Sequence, residues 1–231
     1  MGFFDDVKED QTLQIQVLCV AFFLIAFPSY FMIKASATEN PTGMGGVGTY
    51  TVTPDFSEIE FASGEELIQD GTPLTLELNT DSVDAAGKNI VGVLVTMTYG
   101  EDETESGVAF APCVTGGLSP DTITGTASHL NYSNSADGQN SGGSGSHEVS
   151  TVWYNSSAIG DKVEGLSESQ INDELSKGIG LGDYSIEISV QANSQNSPGC
   201  TRSDTGETVT YTVKLIVLDY SITSYVEVED I

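Results

Sequence analysis

Residues 89–99, NIVGVLVTMTY, decide the fold class. Successive side chains of an extended chain point to opposite faces, so Val91, Val93, Val95, Met97 and Tyr99 share one face and Ile90, Gly92, Leu94, Thr96 and Thr98 the other. Both faces carry apolar residues, and the segment is therefore expected as a central strand rather than a solvated edge. The same period of two recurs on either side of it. Leu74, Leu76 and Leu78 alternate with Thr75 and Glu77, the even residues Tyr184 to Val190 alternate with polar odd ones, and Val209, Tyr211, Val213, Leu215 and Val217 share a face of residues 208–218. Shorter candidates cover residues 50–61, interrupted by Pro54, then 107–111, 122–127 and 148–154. The last carries the single tryptophan, Trp153, which is read as a core anchor.

One helix interrupts the strands. Ser167 and Gln170 have the spacing of a capping box, Ile171 and Leu175 fall on one face, Lys177 suits the last turn and Gly178 the end, which predicts roughly three turns. Polar residues 193–206 are expected to join segments 181–190 and 208–218 as a long hairpin. The Ser-rich region 133–146, which contains GGSGS, reads as a mobile loop.

Ahead of the β-patterned region lies LQIQVLCVAFFLIAFPSYFMI, residues 13–33, with no charged residue. Its roughly 21 residues at ~1.5 Å each match the ~30 Å hydrocarbon core of a bilayer. The expected organisation is a short cytoplasmic terminus (1–12), a transmembrane helix (13–34), a Gly- and Pro-containing flexible linker (35–48) and an extracytoplasmic domain (49–231). Three processing alternatives bear on this segment. Ala35-Ser36-Ala37 permits signal cleavage before Thr38, but the leading region is acidic and the apolar run exceeds a signal core, so retention is favoured. Lipidation fails because Cys19 lies near the start of the run after Val17-Leu18. A pilin's first helix is similar to this run, but the chain lacks the Gly before it and the Glu in its first turn. Lys8 and Lys34 flank both sides, so orientation follows from the large domain instead.

Seven Lys+Arg against 34 Asp+Glu give a formal charge of -27. Such a surface repels nucleic-acid phosphates and excludes nucleic-acid binding; its composition resembles that of surface proteins from marine or salt-adapted archaea. Of three cysteines, Cys19 lies in the apolar run, which leaves Cys113 and Cys200 as an expected disulfide outside the cytoplasm. Closing that loop would contribute on the order of 4 kcal/mol. The sequons at Asn131 and Asn155 are candidate glycosylation sites and suit the same exterior location.

Residues 182–190, GDYSIEISV, followed by a further strand, resemble the last two strands of immunoglobulin-like and PKD-like β-sandwich domains. The resemblance implies a single antiparallel β-sandwich with a short crossover helix, and places Tyr184 at the position of a tyrosine corner. The cysteines depart from the antibody pattern, because Cys200 falls between the last two strands.

Candidate chemistry is sparse. Glu101, Asp102, Glu103 and Glu105 cluster after the central strand and could offer oxygens to Ca²⁺, although the spacing is not that of an EF-hand; a solvated acidic turn is the plainer reading. No other cofactor is implied. Neither His129 nor His147 has ligand-like neighbours in sequence, and the GGSGS stretch is no nucleophile elbow. The chain is read as non-catalytic: a single-pass surface protein that binds envelope partners or serves a membrane assembly, with a filament subunit as the alternative.

Overall fold

The computed structural model describes residues 22–23, 46–100, 103–107, 119–140, 143–194 and 200–226. In chain order its elements are β1 (Gly48–Gln69), β2 (Leu74–Asn79), β3 (Ile90–Gly100), β4 (Thr104–Gly107), β5 (Thr122–His129), β6 (Tyr132–Gln139), β7 (Ser144–Val152), β8 (Gly160–Leu166), α1 (Glu168–Leu175), β9 (Asp183–Gln191), β10 (Cys200–Ser203) and β11 (Gly206–Ser224). Two antiparallel sheets, ordered β7-β3-β11-β1-β8 and β2-β9-β5-β6, form a β-sandwich-like domain, and β10 pairs with β4 in a separate two-stranded ribbon.

The longest pairing joins β1 to β11, from Tyr50 opposite Ser224 to Gln69 opposite Gly206, with one bulge between Glu60 and Ala62. A bulge inserts a residue and bends the strand. Here it falls at the buried Phe61, whose ring meets Tyr184 of the facing sheet edge-on at 5.3 Å. On β11 the odd residues Val209 to Val217 enter the core between the sheets. Leu218 instead joins Tyr50, Val52, Val91, Ala158, Val163, Ile171 and Leu175 in a second, smaller core. The ribbon is thus buried on opposite faces at its two ends.

The sequence reading holds for the strongest patterns. β3 lies between β7 and β11 as a central strand, and β9 alternates buried even residues with more exposed odd ones. Trp153 is buried just after β7, its indole N–H donating to the Ile90 carbonyl at 2.9 Å. α1 has the capping box, with Ser167 and Gln170 each accepting from the other's backbone N–H, and buries Ile171 and Leu175. It ends at Leu175, so Lys177 lies beyond it and the helix is shorter than three turns.

Three readings are corrected. β1 runs through Pro54, because β8 pairs with β1 only as far as Val52; beyond that the strand has an open edge where a missing N–H breaks no ladder bond. Segment 193–206 is no simple hairpin: it contains β10, and β9 and β11 enter different sheets. Alternation reveals which face of a strand is buried but not which strand it pairs with. Finally, the Ser-rich region contributes β6 and β7. β6 is held to β5 by cross-strand side-chain bonds, Thr124 Oγ1 to Asp137 at 2.8 Å, Thr126 with Ser135 at 3.0 Å and Ser128 with Ser133 at 2.8 Å, so hydroxyls substitute for an apolar face.

The apolar segment 13–34, the terminus 1–12 and nearly all of the linker lie outside the described residues, except for Phe22 and Phe23, which are helical. Among the described residues no helix is long and apolar enough to cross a membrane.

Tyr184 forms the corner that the sandwich resemblance implies: buried at the start of β9, its hydroxyl donates to the Gly180 carbonyl at 2.7 Å. Burial pushes this phenol far above its ordinary value, so it stays protonated as a donor. Tyr184→Phe leaves that carbonyl without this partner and should cost about 1–3 kcal/mol. Urea unfolding should show a lowered midpoint at unchanged m-value; an unshifted midpoint would mean the corner bond carries no stability.

Candidate metal centre

At the end of the domain where β11 begins, the loops bring three acids together from distant parts of the chain. Asp121 immediately precedes β5, Asp204 follows β10, and Glu207 is the second residue of β11. One carboxylate oxygen from each lies within 4.8 Å of the other two. Asp121 and Glu207 are buried, at 0 % and 1 % exposure, whereas Asp204 is partly exposed.

Local backbone geometry holds the set in place. Gly206 sits at φ +144°, a conformation that side chains rarely adopt, and a Cβ there would run into the Ile68 carbonyl of β1. That glycine lets the chain turn between Asp204, whose Oδ1 accepts from the Gly206 N–H at 3.0 Å, and Glu207 on the strand itself. Asn140, fully buried after β6, accepts from the Asp121 N–H at 2.7 Å and donates its amide to Glu207 Oε1 at 3.1 Å. Asp121 Oδ1 accepts from the Asn193 N–H, while its Oδ2 is buried with no hydrogen-bond partner.

Burial raises the Asp121 carboxyl above the usual aspartate range. Hydrogen bonding to Glu207 and to the Asn193 N–H opposes this, and the neighbouring Asp204 pushes the same way as burial. Both side chains that act on Asp121 are themselves acidic. Arg202, buried on β10 two residues before Asp204, is the nearest base in sequence. One guanidinium against three carboxylates would still leave an excess of two negative charges. Removing such groups from water costs several kcal/mol each unless they are neutralised, which a proton or a cation can do.

These acids were missed because they are close only in space, yet strand parity carries a signal. Buried odd residues Ile123, Gly125, Ala127 and His129 of β5 extend back to Asp121, and the buried odd residues of β11 extend back to Glu207. Asn140 continues the even parity of Ala136 and Gly138 on β6 in the same way. A charged residue on the inward parity of a strong strand marks a buried charge.

Of the acids singled out from sequence, Glu101 and Asp102 lie outside the described residues, as does the side chain of Glu105. Glu103 is partly buried, and its Oε2 accepts from the Ser119 N–H at 3.4 Å. Cys200 is buried at the start of β10, and Cys113 lies outside the described residues. Asn131 is exposed at the β5–β6 turn. Asn155 is exposed too, its Oδ1 accepting from both the Ser157 N–H at 3.1 Å and the Ser157 hydroxyl at 2.7 Å. No protein-family model matches the chain, and no curated protein matches it.

A carboxyl whose folded value is raised adds stability below its unfolded value and withdraws it as pH rises through the folded one. Metal-free Asp121→Asn should therefore be more stable than wild type at pH 7, by on the order of 1 kcal/mol. The two should converge below about pH 4, the ordinary aspartate range. Thermal melts in chelator across this range test the point; equal destabilisation by the variant at both ends would refute it.

Proposed function

We propose that this chain is a non-catalytic, single-pass membrane-anchored surface protein whose acidic β-sandwich binds envelope partners or serves as an accessory subunit of a membrane assembly. The observation that carries this reading is the polarity of the β1–β11 ribbon. The chain reaches the domain at Gly48, beside the last residues of β11, and the Tyr225 N–H donates to the Thr49 carbonyl at 3.1 Å. The opposite end of the ribbon, at Gln69 and Gly206, lies some 19 residues further along, or roughly 60 Å of strand. A domain tethered through residues 35–48 to an apolar helix at 13–34 would thus be held at one pole and present the other outward. Exposed Asp55, Glu58, Glu60, Glu65 and Glu66 along β1 keep much of that length hydrated.

Several finer assignments belong to this reading. The amino terminus is cytoplasmic and the sandwich, of immunoglobulin-like or PKD-like type, is extracytoplasmic. Cys113 pairs with Cys200, a reading supported by the burial of Cys200 on β10 and by its register partner Gly107, which lies six positions before Cys113 in the chain. Asn131 and Asn155 carry glycans where the cell supplies them, and their exposure supports this. Glu101, Asp102, Glu103 and Glu105 remain candidates for weak Ca²⁺ contact in the proposed exterior medium.

The filament alternative keeps the same domain but packs helix 13–34 into a fibre core. Amino-terminal sequencing of the native protein, with carbonate extraction of membranes, separates the outcomes. The anchored reading expects an intact Met1 and a chain that stays with the membrane. A start near Gln11 in sheared fibres would establish the filament, and a start at Thr38 in the medium would establish secretion.

A further inference from the structure

We propose that Asp121, Asp204 and Glu207 form a Ca²⁺ site at the end of the domain remote from Gly48. None of the three belongs to the acidic stretch of sequence at residues 101–105, and the site stands on geometry independent of how the chain is anchored. The first observation is the spread of the donor oxygens, all within 4.8 Å of one another. Oxygens on opposite sides of Ca²⁺, at about 2.4 Å each, stand about 4.8 Å apart, so no pair of the three is too widely spaced to share one ion of this size.

The second observation is independent of the clustering. Asp121 is fully buried, and its Oδ2 has no hydrogen-bond partner although Oδ1 is satisfied by Asn193. An ionised oxygen so placed is costly unless a positive centre meets it. Asp204 Oδ2 is likewise buried without a partner. The donors the site offers are one carboxylate oxygen from each of Asp121, Asp204 and Glu207, the last positioned by Asn140.

Donor chemistry selects the ion. Three carboxylates and no imidazole or thiolate make a hard oxygen set, which suits Ca²⁺ rather than Zn²⁺. Mg²⁺ demands octahedral oxygens at about 2.0–2.1 Å and dehydrates reluctantly, which a fixed, mostly buried set satisfies poorly. Three carboxylates supply between three and six oxygens. The partial exposure of Asp204 leaves a side through which an ion can enter and water can complete the shell.

Binding would stabilise the folded chain by mass action. It would tie the start of β5, the β10–β11 turn and the first residues of β11 together, and so join both sheets to the β4–β10 ribbon at one point. The test uses the full chain in detergent at pH 7, stripped with chelator and titrated with CaCl₂ or MgCl₂ by calorimetry and thermal melting. The expected result is one saturable Ca²⁺ site with a rise in Tm, and at least a tenfold weaker response to Mg²⁺. In Asp121→Asn and Glu207→Gln that saturable site and its Tm rise should be lost, while both variants remain folded in chelator. The wild-type titration stands alone if a variant fails to fold. Absence of a saturable site at millimolar Ca²⁺, equal responses to the two ions, or a Tm rise that persists in a folded Asp121→Asn variant would each overturn the assignment.

Discussion

The pairing of β1 with β11 is the constraint on which the rest of the structure depends. It matches 19 positions on each strand and brings together residues as distant in sequence as Tyr50 and Ser224. Closing so long a loop costs little more than closing a moderate one, because the entropy grows only logarithmically with length. Once closed, the register fixes both poles: the start and end of the domain lie together at one, and Gly206 lies against Gln69 at the other. β3 then extends the sheet along β11 from Val209 to Val217, and β7 extends it along β3. A slip of one residue would turn Val209, Tyr211, Val213 and Leu215 out of the core, so the odd face of β11 holds the register as firmly as the hydrogen bonds do.

The ribbon also explains why one domain contains two apolar clusters. Between Val209 and Val217 the buried face of β11 looks toward β9 and β5; from Leu218 onward the apolar residues look the other way, toward α1 and β8. The ladder between β11 and β3 shifts register between Ile216 and Val217, next to this change. Asn89 bridges the region, its amide donating to the carbonyls of Leu175 and Leu218 at 3.1 and 2.9 Å. α1 therefore caps the outer face of a strand pair whose other half forms the wall of the main core.

Much of this was legible in the sequence because period-two apolarity is a local signal. The faces of β3, β9 and β11, the capping box of α1 and the place of Tyr184 all follow from residues that are neighbours in the chain. What escaped was carried by polar chemistry or by tertiary pairing. β6 has the composition of a linker, yet its serines meet Thr126 and Ser128 across the ladder. His147 of β7 reaches the other sheet, its Nε2 donating to the Ala136 carbonyl at 3.2 Å while Nδ1 accepts from the Tyr99 hydroxyl at 3.2 Å. Burial lowers this imidazole below its usual value, in keeping with the neutral form those two bonds require. Between β9 and β11 the chain forms β10, which pairs with β4, and these two four-residue strands are too short to be read as a pair from composition.

The acidic composition hides a distinction that only the fold draws. Among the described residues most carboxylates are exposed and contribute to solubility by remaining in water, where repulsion is screened within about 10 Å at moderate salt. Asp121 and Glu207 are withdrawn from that solvent, and the neighbouring Asp204 acts on Asp121 in a less polar medium where screening is weak. Net charge therefore cannot measure their cost: moving a surface glutamate would change little, whereas neutralising one of these two alters the balance at the junction of both sheets. The parity of β5 and β11 sends the two acids inward, and Gly206 brings Asp204 beside them at the end of the ribbon. A chain with few bases to spare then has two ways to neutralise this junction, a proton or a cation from the medium. The choice between them couples the far pole of the domain to its ionic surroundings.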